Sequence, residues 1–343
     1  MNQPLRVAVL SFAHYHANFW TEVFQASPLA TLVGVWDDDI ARGQAGAATH
    51  GAALNPDLNG LLAQCDAVAI CSETVRHVEL IERAAQAGCA ILCEKPLAVS
   101  LAQCDRIARA VDAAGIAFMQ SFPKRFDPVN HELKRILEAK ELGRVGLVRV
   151  RHGHYYGLDP GFAASWHAES HASGGGTLLD EGVHGADFLR WMFGEPVSVT
   201  AITSSAMLGL AVEDLAIATY RYADGMVAEL TTSWSFVAAD NSIEVYGDQG
   251  TALIGGVDLA SKDFCSGGWL RTYSGGERRW RSSDIVPRFK AGDFHQQNAR
   301  AFLDALARQA PPPITLADGR RALAMILAAY EAAASGRAVN IRY

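Results

Sequence analysis

Between residues 5 and 120 the chain alternates short, nearly unbroken apolar runs with stretches of helical periodicity, and that alternation leaves few folds open. Residues 5–10, 31–36, 67–71, 90–93 and 117–120 read as strands, and residues 17–25, 41–49, 75–87 and 101–114 as helices. In the first helix Phe19, Trp20, Val23 and Phe24 fall on one face. Strands this apolar offer no polar face to water, so they belong in a parallel sheet covered on both sides by helices. Right-handed crossovers then build a Rossmann-type α/β domain, expected over residues 1–123.

A chain of 343 residues exceeds one ordinary domain, and the pattern changes after Phe122 and Pro123. A helix at 128–139 and a strand at 145–156 precede a helix at 176–193, on which Asp180 and His184 would share a face. Strand-like stretches follow at 197–204, 215–222, 226–234, 242–246 and 251–254, with a turn signal at Ala223, Asp224 and Gly225. Residues 261–287, rich in Gly, Ser and Arg, read as irregular apart from a strand at 270–273, and helices at 294–309 and 317–334 close the chain. The expectation for residues 124–343 is an α+β domain with an open, mainly antiparallel sheet. No internal repeat is visible.

A net charge of −7, with only short basic clusters such as Arg278, Arg279 and Arg281, excludes a general nucleic-acid or anionic-membrane surface. No run reaches the roughly 18 apolar residues of a membrane span, and the N-terminus lacks the pattern of a secretion signal. A cytoplasmic protein with neither nucleic-acid nor membrane partner is expected. Cys65, Cys71, Cys89, Cys93, Cys104 and Cys265 form no CxxC and no regular framework, so neither disulfides nor a zinc site is expected. His152 and His154 share one strand face, and His167, Glu169 and His171 are close in sequence. None of these spacings matches a metalloenzyme, and no metal is expected.

In open parallel sheets ligands bind beyond the carboxyl ends of the strands, where a helix N-terminus offers N–H groups to phosphate. The first strand leads into Ser11, Phe12, Ala13, His14, Tyr15 and His16. Aligned on G-x-G-x-x-G, the glycine places hold Ser11, Ala13 and His16. The first two are small, whereas His16 departs from the residue that permits close helix–strand packing. His14 and His16 either contact phosphate or pack the loop. Asp37 ends the second strand about 20 residues further on, where an acid accepts hydrogen bonds from a ribose 2′-hydroxyl and repels a 2′-phosphate. NAD is therefore favoured over NADP. Asp38 and Asp39 fit a helix cap equally, which leaves open the acid that faces the ribose.

Two further blocks are more specific. Residues 65–100, CDAVAICSETVRHVELIERAAQAGCAILCEKPLAVS, carry Glu94, Lys95 and Pro96 after the fourth strand and a preceding stretch that ends at His77. Residues 173–194, SGGGTLLDEGVHGADFLRWMFG, carry D-x-G-x-H at Asp180 and His184. With Arg125, Phe126 and Pro128, and with VEDLAIATYRYADG at 212–225, these make the chain resemble the glucose-fructose oxidoreductase, inositol dehydrogenase and rhizopine-catabolism (Gfo/Idh/MocA) family over essentially its whole length.

The resemblance implies an NAD(P)-dependent oxidoreductase that moves a hydride between nicotinamide and a hydroxyl or carbonyl carbon of a sugar, polyol or inositol-like substrate. It implies a catalytic set of Lys95 beside the nicotinamide, Asp180 holding substrate and His184 exchanging the proton. The cofactor set becomes Ser11, Phe12, Ala13, His14, His16, Asp37, Cys71, Ser72, His77, Glu94, Lys95, Pro96 and Arg125. The substrate set becomes Lys95, Tyr155, Trp166, His167, Asp180 and His184. Homodimers or homotetramers joined through the second sheet are implied as well.

Elementary chemistry favours the same assignments. Alcohol oxidation requires a proton acceptor near neutral pH, which imidazole is, and a cation to polarise the oxygen, which lysine is. Asp187, one turn beyond His184, is expected to be structural, and Arg125 to order the domain junction or meet cofactor. Two alternatives stay open at this stage. One is a redox-neutral glycoside hydrolase or lyase that recycles bound cofactor. The other is a non-catalytic sugar and nucleotide sensor, which would not need the proton-transfer residues.

Overall fold

The computed structural model describes residues 3–238, 241–255 and 267–343. The chain divides into two compact units, Met1–Pro123 with His295–Arg320, and Lys124–Phe294 with Arg321–Tyr343.

The first unit holds a five-stranded sheet of β1 (Leu5–Leu10), β2 (Ala30–Trp36), β3 (Ala67–Ile70), β4 (Ala90–Cys93) and β5 (Phe118–Gln120). Their order is β2-β1-β3-β4-β5 and every pairing is parallel. β3, β4 and β5 are buried at every residue, which is why their sequences run apolar without alternation. The connecting helices begin and end where local chemistry dictates. Asp39 caps Ile40–His50 by accepting from Arg42 N, and Ser100 caps Leu101–Ala114 by accepting from Gln103 N. Both end on glycines, Gly51 and Gly115, with φ near 60°.

The sequence reading ended this unit at residue 123, but contacts return His295–Arg320 to it. β5 is a short edge strand, and Gln120 N donates to the carbonyl of the fully buried Ile314 at 3.1 Å. The helix Gln296–Ala307 packs on His16–Ala26, and Trp20 Nε1 donates to His295 O at 3.2 Å.

The second unit carries a nine-stranded sheet. Its strands are β6 (Val145–His152), β7 (Ser198–Ser204), β8 (Leu215–Arg221), β9 (Val227–Ser233), β10 (Asn241–Gly247), β11 (Gly250–Ile254), β12 (Leu270–Ser274), β13 (Arg279–Ser282) and β14 (Val339–Asn340). The order is β13-β12-β11-β10-β6-β9-β8-β7-β14, antiparallel throughout except for β6 with β9. Alternation is clean: Val148, Val150, Ala216, Ala218, Leu230 and Val245 are buried, while Leu147, Arg149, Ile217 and Tyr246 face outward. The helix Gly182–Phe193 lies against β6 and β9 on the buried side.

Three expectations change here. The strand predicted over 145–156 stops at His152, and the next residue, Gly153, lies against the Ser233 carbonyl where no Cβ fits. The single helix predicted over 176–193 is two helices, Thr177–Asp180 and Gly182–Phe193, parted at Glu181. The stretch read as irregular holds β13 as well as β12; its part from 261 to 266 lies outside the described residues. No helix among the described residues is long and apolar enough to cross a membrane.

Candidate functional site

In the first unit the expected cofactor residues gather beyond the carboxyl ends of β1 to β4. β1 passes into Ser11, whose φ of 72° is the left-handed conformation that glycine favours at this place in the fingerprint. Hydrogen bonds hold it there: Ser11 N donates to Trp36 O at 2.6 Å, and Ser11 Oγ accepts from Ala13 N at 3.1 Å. The helix His16–Ala26 then starts with no acid in its first turn, which suits an anionic phosphate, and its first N–H, His16 N, donates to His14 Nδ1 at 3.3 Å. His14 N donates to Cys71 O, tying this loop to the end of β3.

His16, at the third glycine place, turns inward. It is 3% exposed, and its Nδ1 lies 2.6 Å from Glu94 Oε1. Glu94 is fully buried and accepts from Ser121 Oγ at 3.2 Å and Lys95 N at 2.7 Å. Burial pushes its carboxyl up from the ordinary value, with the Lys95 charge acting the other way. Lys95 itself is 2% exposed. His77 fastens the same turn, its Nδ1 donating to Pro96 O at 2.9 Å with Nε2 3.3 Å from Ser72 O. Burial lowers the His77 imidazole below its usual pKa.

Asp37 is less available than its position suggests. It is 1% exposed, and its carboxylate accepts from Phe12 N at 2.8 Å, Asp39 N at 3.1 Å, Ser11 Oγ at 3.3 Å and Arg42 Nη2 at 2.7 Å. These donors fill the roughly four lone-pair positions of a carboxylate. Arg42 in turn donates to Glu73 at 2.7 Å and Asp38 at 3.1 Å, and Arg76 pairs with Asp38. A ribose hydroxyl reaches Asp37 only if Arg42 swings aside. Sequence reasoning had missed Arg42, although an arginine one helical turn past an acid-rich strand end is a visible signal.

The described cysteines are free and buried. Burial pushes the thiols of Cys65 and Cys104 up to about 12 and that of Cys89 to about 11, so they stay neutral and unreactive. Cys265 lies outside the described residues.

In the second unit the residues gather around the helix break. Glu213 caps the first turn, accepting from Gly176 N at 3.1 Å and Leu178 N at 2.9 Å, and Tyr330 Oη donates to it at 2.7 Å. Asp180 ends that turn and accepts from Trp234 Nε1 at 2.9 Å. Phe162 meets the Trp234 ring edge-on at 4.9 Å and stacks on His167, which stacks on Trp166 at 3.9 Å. Tyr155 lies against Tyr156, 5.7 Å between ring centres.

Glu181, in the break, lies 3.0 Å from His152 Nε2 and 3.4 Å from His154 Nε2. His184 is 5% exposed and meets His152 edge-on at 5.0 Å. Asp180 and His184 therefore do not share a continuous helix face; they stand on either side of Glu181. Arg125 grips Asp187 bidentately at 2.9 and 2.6 Å. Trp234 and Phe162 escaped the sequence reading because only folding brings the Trp234 indole to Asp180 and Phe162 to that indole; Glu181 lies inside the D-x-G-x-H block and was passed over as its variable position.

Comparison with known proteins gives this arrangement its context. Residues 5–122 match the family described as "Oxidoreductase family, NAD-binding Rossmann fold", and residues 130–253 match "GFO/IDH/MocA C-terminal domain". The chain belongs to the Gfo/Idh/MocA oxidoreductase family. This member is 29% identical to a 1,5-anhydro-D-fructose reductase of Ensifer adhaerens, over 80% of each chain. It is also 29% identical to inositol 2-dehydrogenase 2 of Saccharopolyspora erythraea, over 90% of this chain and 86% of that one. Among solved structures, GenD2 from gentamicin A biosynthesis in complex with NAD is 25% identical, with a TM-score of 0.83 over 100% of this chain and 98% of that one. A levoglucosan dehydrogenase in complex with NADH and levoglucosan, 20% identical, shares the fold with a TM-score of 0.87 over 99% of this chain and 100% of that one. The Gfo/Idh/MocA chain thus has an NAD-binding Rossmann fold in its first unit and the family's C-terminal domain in its second.

Proposed function

We propose that this oxidoreductase is a dehydrogenase of a sugar, polyol or inositol-like alcohol and uses NAD in preference to NADP. The observation that carries the reading is the second unit's pairing of a carboxylate with an imidazole. Asp180, held by the Trp234 indole, and the buried His184 flank one short helix break. One accepts a hydrogen bond from a substrate hydroxyl, and the other accepts the proton that hydroxyl loses.

When bound, the nicotinamide supplies the hydride acceptor. Lys95 polarises the reacting oxygen, and the turn that carries it is set by Glu94, His16 and the His77 bond to Pro96. Ser11, Phe12, Ala13, His14, Asp37, Cys71 and Ser72 line the dinucleotide side of the same unit. The flat rings of Trp166, His167 and Tyr155 suit the C–H faces of a sugar. Relatives named for inositol and anhydrofructose support a polyhydroxylated substrate. In this reading Arg125 positions Asp187 and its helix rather than cofactor.

The enzyme acts in the cytoplasm, where buried free thiols persist reduced, and copies pair through the outward face of the nine-stranded sheet. A panel of inositols, aldoses and sugar acids, offered with NAD and then NADP, tests the function. Growth of reduced-nicotinamide absorbance with at least one polyol is expected. Glycoside cleavage without net cofactor reduction would replace the reading with a redox-neutral one.

A further inference from the structure

The second unit holds a carboxylate between two imidazoles that the reaction above does not use. Glu181 is 8% exposed, with His152 Nε2 on one oxygen and His154 Nε2 on the other. One imidazole would satisfy a buried carboxylate; a second, with its side chain 13% exposed, gives the group a way toward solvent. His184 brings a ring nitrogen within 4.8 Å of both a Glu181 oxygen and a His152 nitrogen. That gap is spanned by one water or a small rotation. Lys124 donates to Asn241 Oδ1 at 2.7 Å, and Asn241 Oδ1 lies 3.4 Å from His152 Nδ1. Burial and the Lys124 charge both lower the His152 imidazole, which disfavours a proton resting there. Asp180 lies on the His154 side, its carboxylate, that of Glu181 and the His154 ring each offering an atom within 4.8 Å of the others.

We propose that Glu181, with His152 and His154, is the proton outlet of His184. The proposal rests on the reading that His184 accepts the hydroxyl proton. In the oxidation the substrate C–H bond breaks and its electron pair leaves as hydride to oxidised nicotinamide. The O–H bond breaks and its proton goes to the His184 ring, while a C=O bond forms. The buried imidazolium then returns its proton through Glu181 to the His154 ring and to solvent, leaving every protein group as it began. Glu181 is thus a positioning and relay residue that acts through His184 and need not touch substrate.

The test is Glu181→Gln in the full chain, with Glu181→Asp as the conservative partner. In dilute buffer Gln should lower kcat on the order of tenfold with substrate KM unchanged, and added imidazole should restore it. The Asp variant should retain most of the rate, and the wild type should ignore imidazole. In cofactor-free protein the ring ¹⁵N resonances of His152 and His154 should shift in the Gln variant. Wild-type kcat in the Gln variant at every buffer concentration overturns the proposal. So does a loss that neither imidazole nor Asp repairs, which would make Glu181 a structural clamp. One equivalent of zinc bound by the wild type and lost in the Gln variant overturns it too, by making the cluster a metal site. A wild type that reduces no nicotinamide with any polyol sinks the underlying reading and this proposal together, whereas a failure of the relay proposal alone leaves a wild type that still reduces nicotinamide.

Discussion

Trp234 Nε1 donates to Asp180 Oδ2 at 2.9 Å, so the end of β9 fixes a carboxylate that the sequence places on a different element 54 residues away. An indole N–H has no other polar use when its ring is buried, and Trp234 is fully buried. Trp234→Phe keeps an aromatic ring at this place, removes the bond and leaves a smaller side chain in a fully buried site. The expected cost is about 1 kcal/mol of substrate binding, a several-fold rise in KM with kcat little changed, read by steady-state kinetics. An unchanged KM would mean that Asp180 does not face substrate.

Lys95→Ala and His184→Ala should each lower turnover by roughly 10² or more, the scale of a positioned acid or base. Circular dichroism and the melting temperature check that the fold survives. Near-wild-type rates in both variants would remove the residue assignments while leaving the family intact.

Arg42→Ala strips the buried Asp37 of its cation and should destabilise the first unit by roughly 1–3 kcal/mol, since a buried charge loses its partner. It should also widen the preference for NAD over NADP, because the remaining carboxylate repels a 2′-phosphate unopposed. An unaltered ratio of kcat/KM for the two cofactors would place Arg42 away from the adenosine ribose.

The native His77 imidazole is held below its ordinary pKa by burial. Below about pH 6.5 the unfolded chain therefore binds a proton that the native chain resists, and stability falls as the pH drops. His77→Gln cannot take that proton. It should be less stable than wild type near neutral pH, and the gap in melting temperature should narrow on acidification. Parallel melting curves across that range would count against a neutral, buried His77.

Ile217 is exposed on β8, paired with Thr231 of β9, on a sheet face where Arg149 pairs with Glu229 and Glu244. Ile217→Glu adds a like charge to that face and should shift dimers or tetramers toward monomers in light scattering. An unaffected mass would mean that copies meet elsewhere or not at all.

The amino-acid sequence by itself determined the five parallel strands of the first unit to within about a residue at each end. Apolar strands of three to seven residues can be buried only in a doubly covered parallel sheet, and the ends of the helices between them are marked by local caps such as Asp39, Ser100 and Gly115. The Glu94, Lys95, Pro96 and D-x-G-x-H motifs were legible for the same reason: each is short, and its chemistry lies within a few bonds. Tertiary structure alone decided which groups answer those motifs. It filled Asp37 with Arg42, returned residues 295–320 to β5, broke the helix at Glu181 and set His152, His154 and Trp234 around the break. Apart from Asp37 with Arg42, such pairings join residues tens of positions apart through hydrogen bonds whose donors and acceptors are common in any sequence, and only packing selects one partner from many.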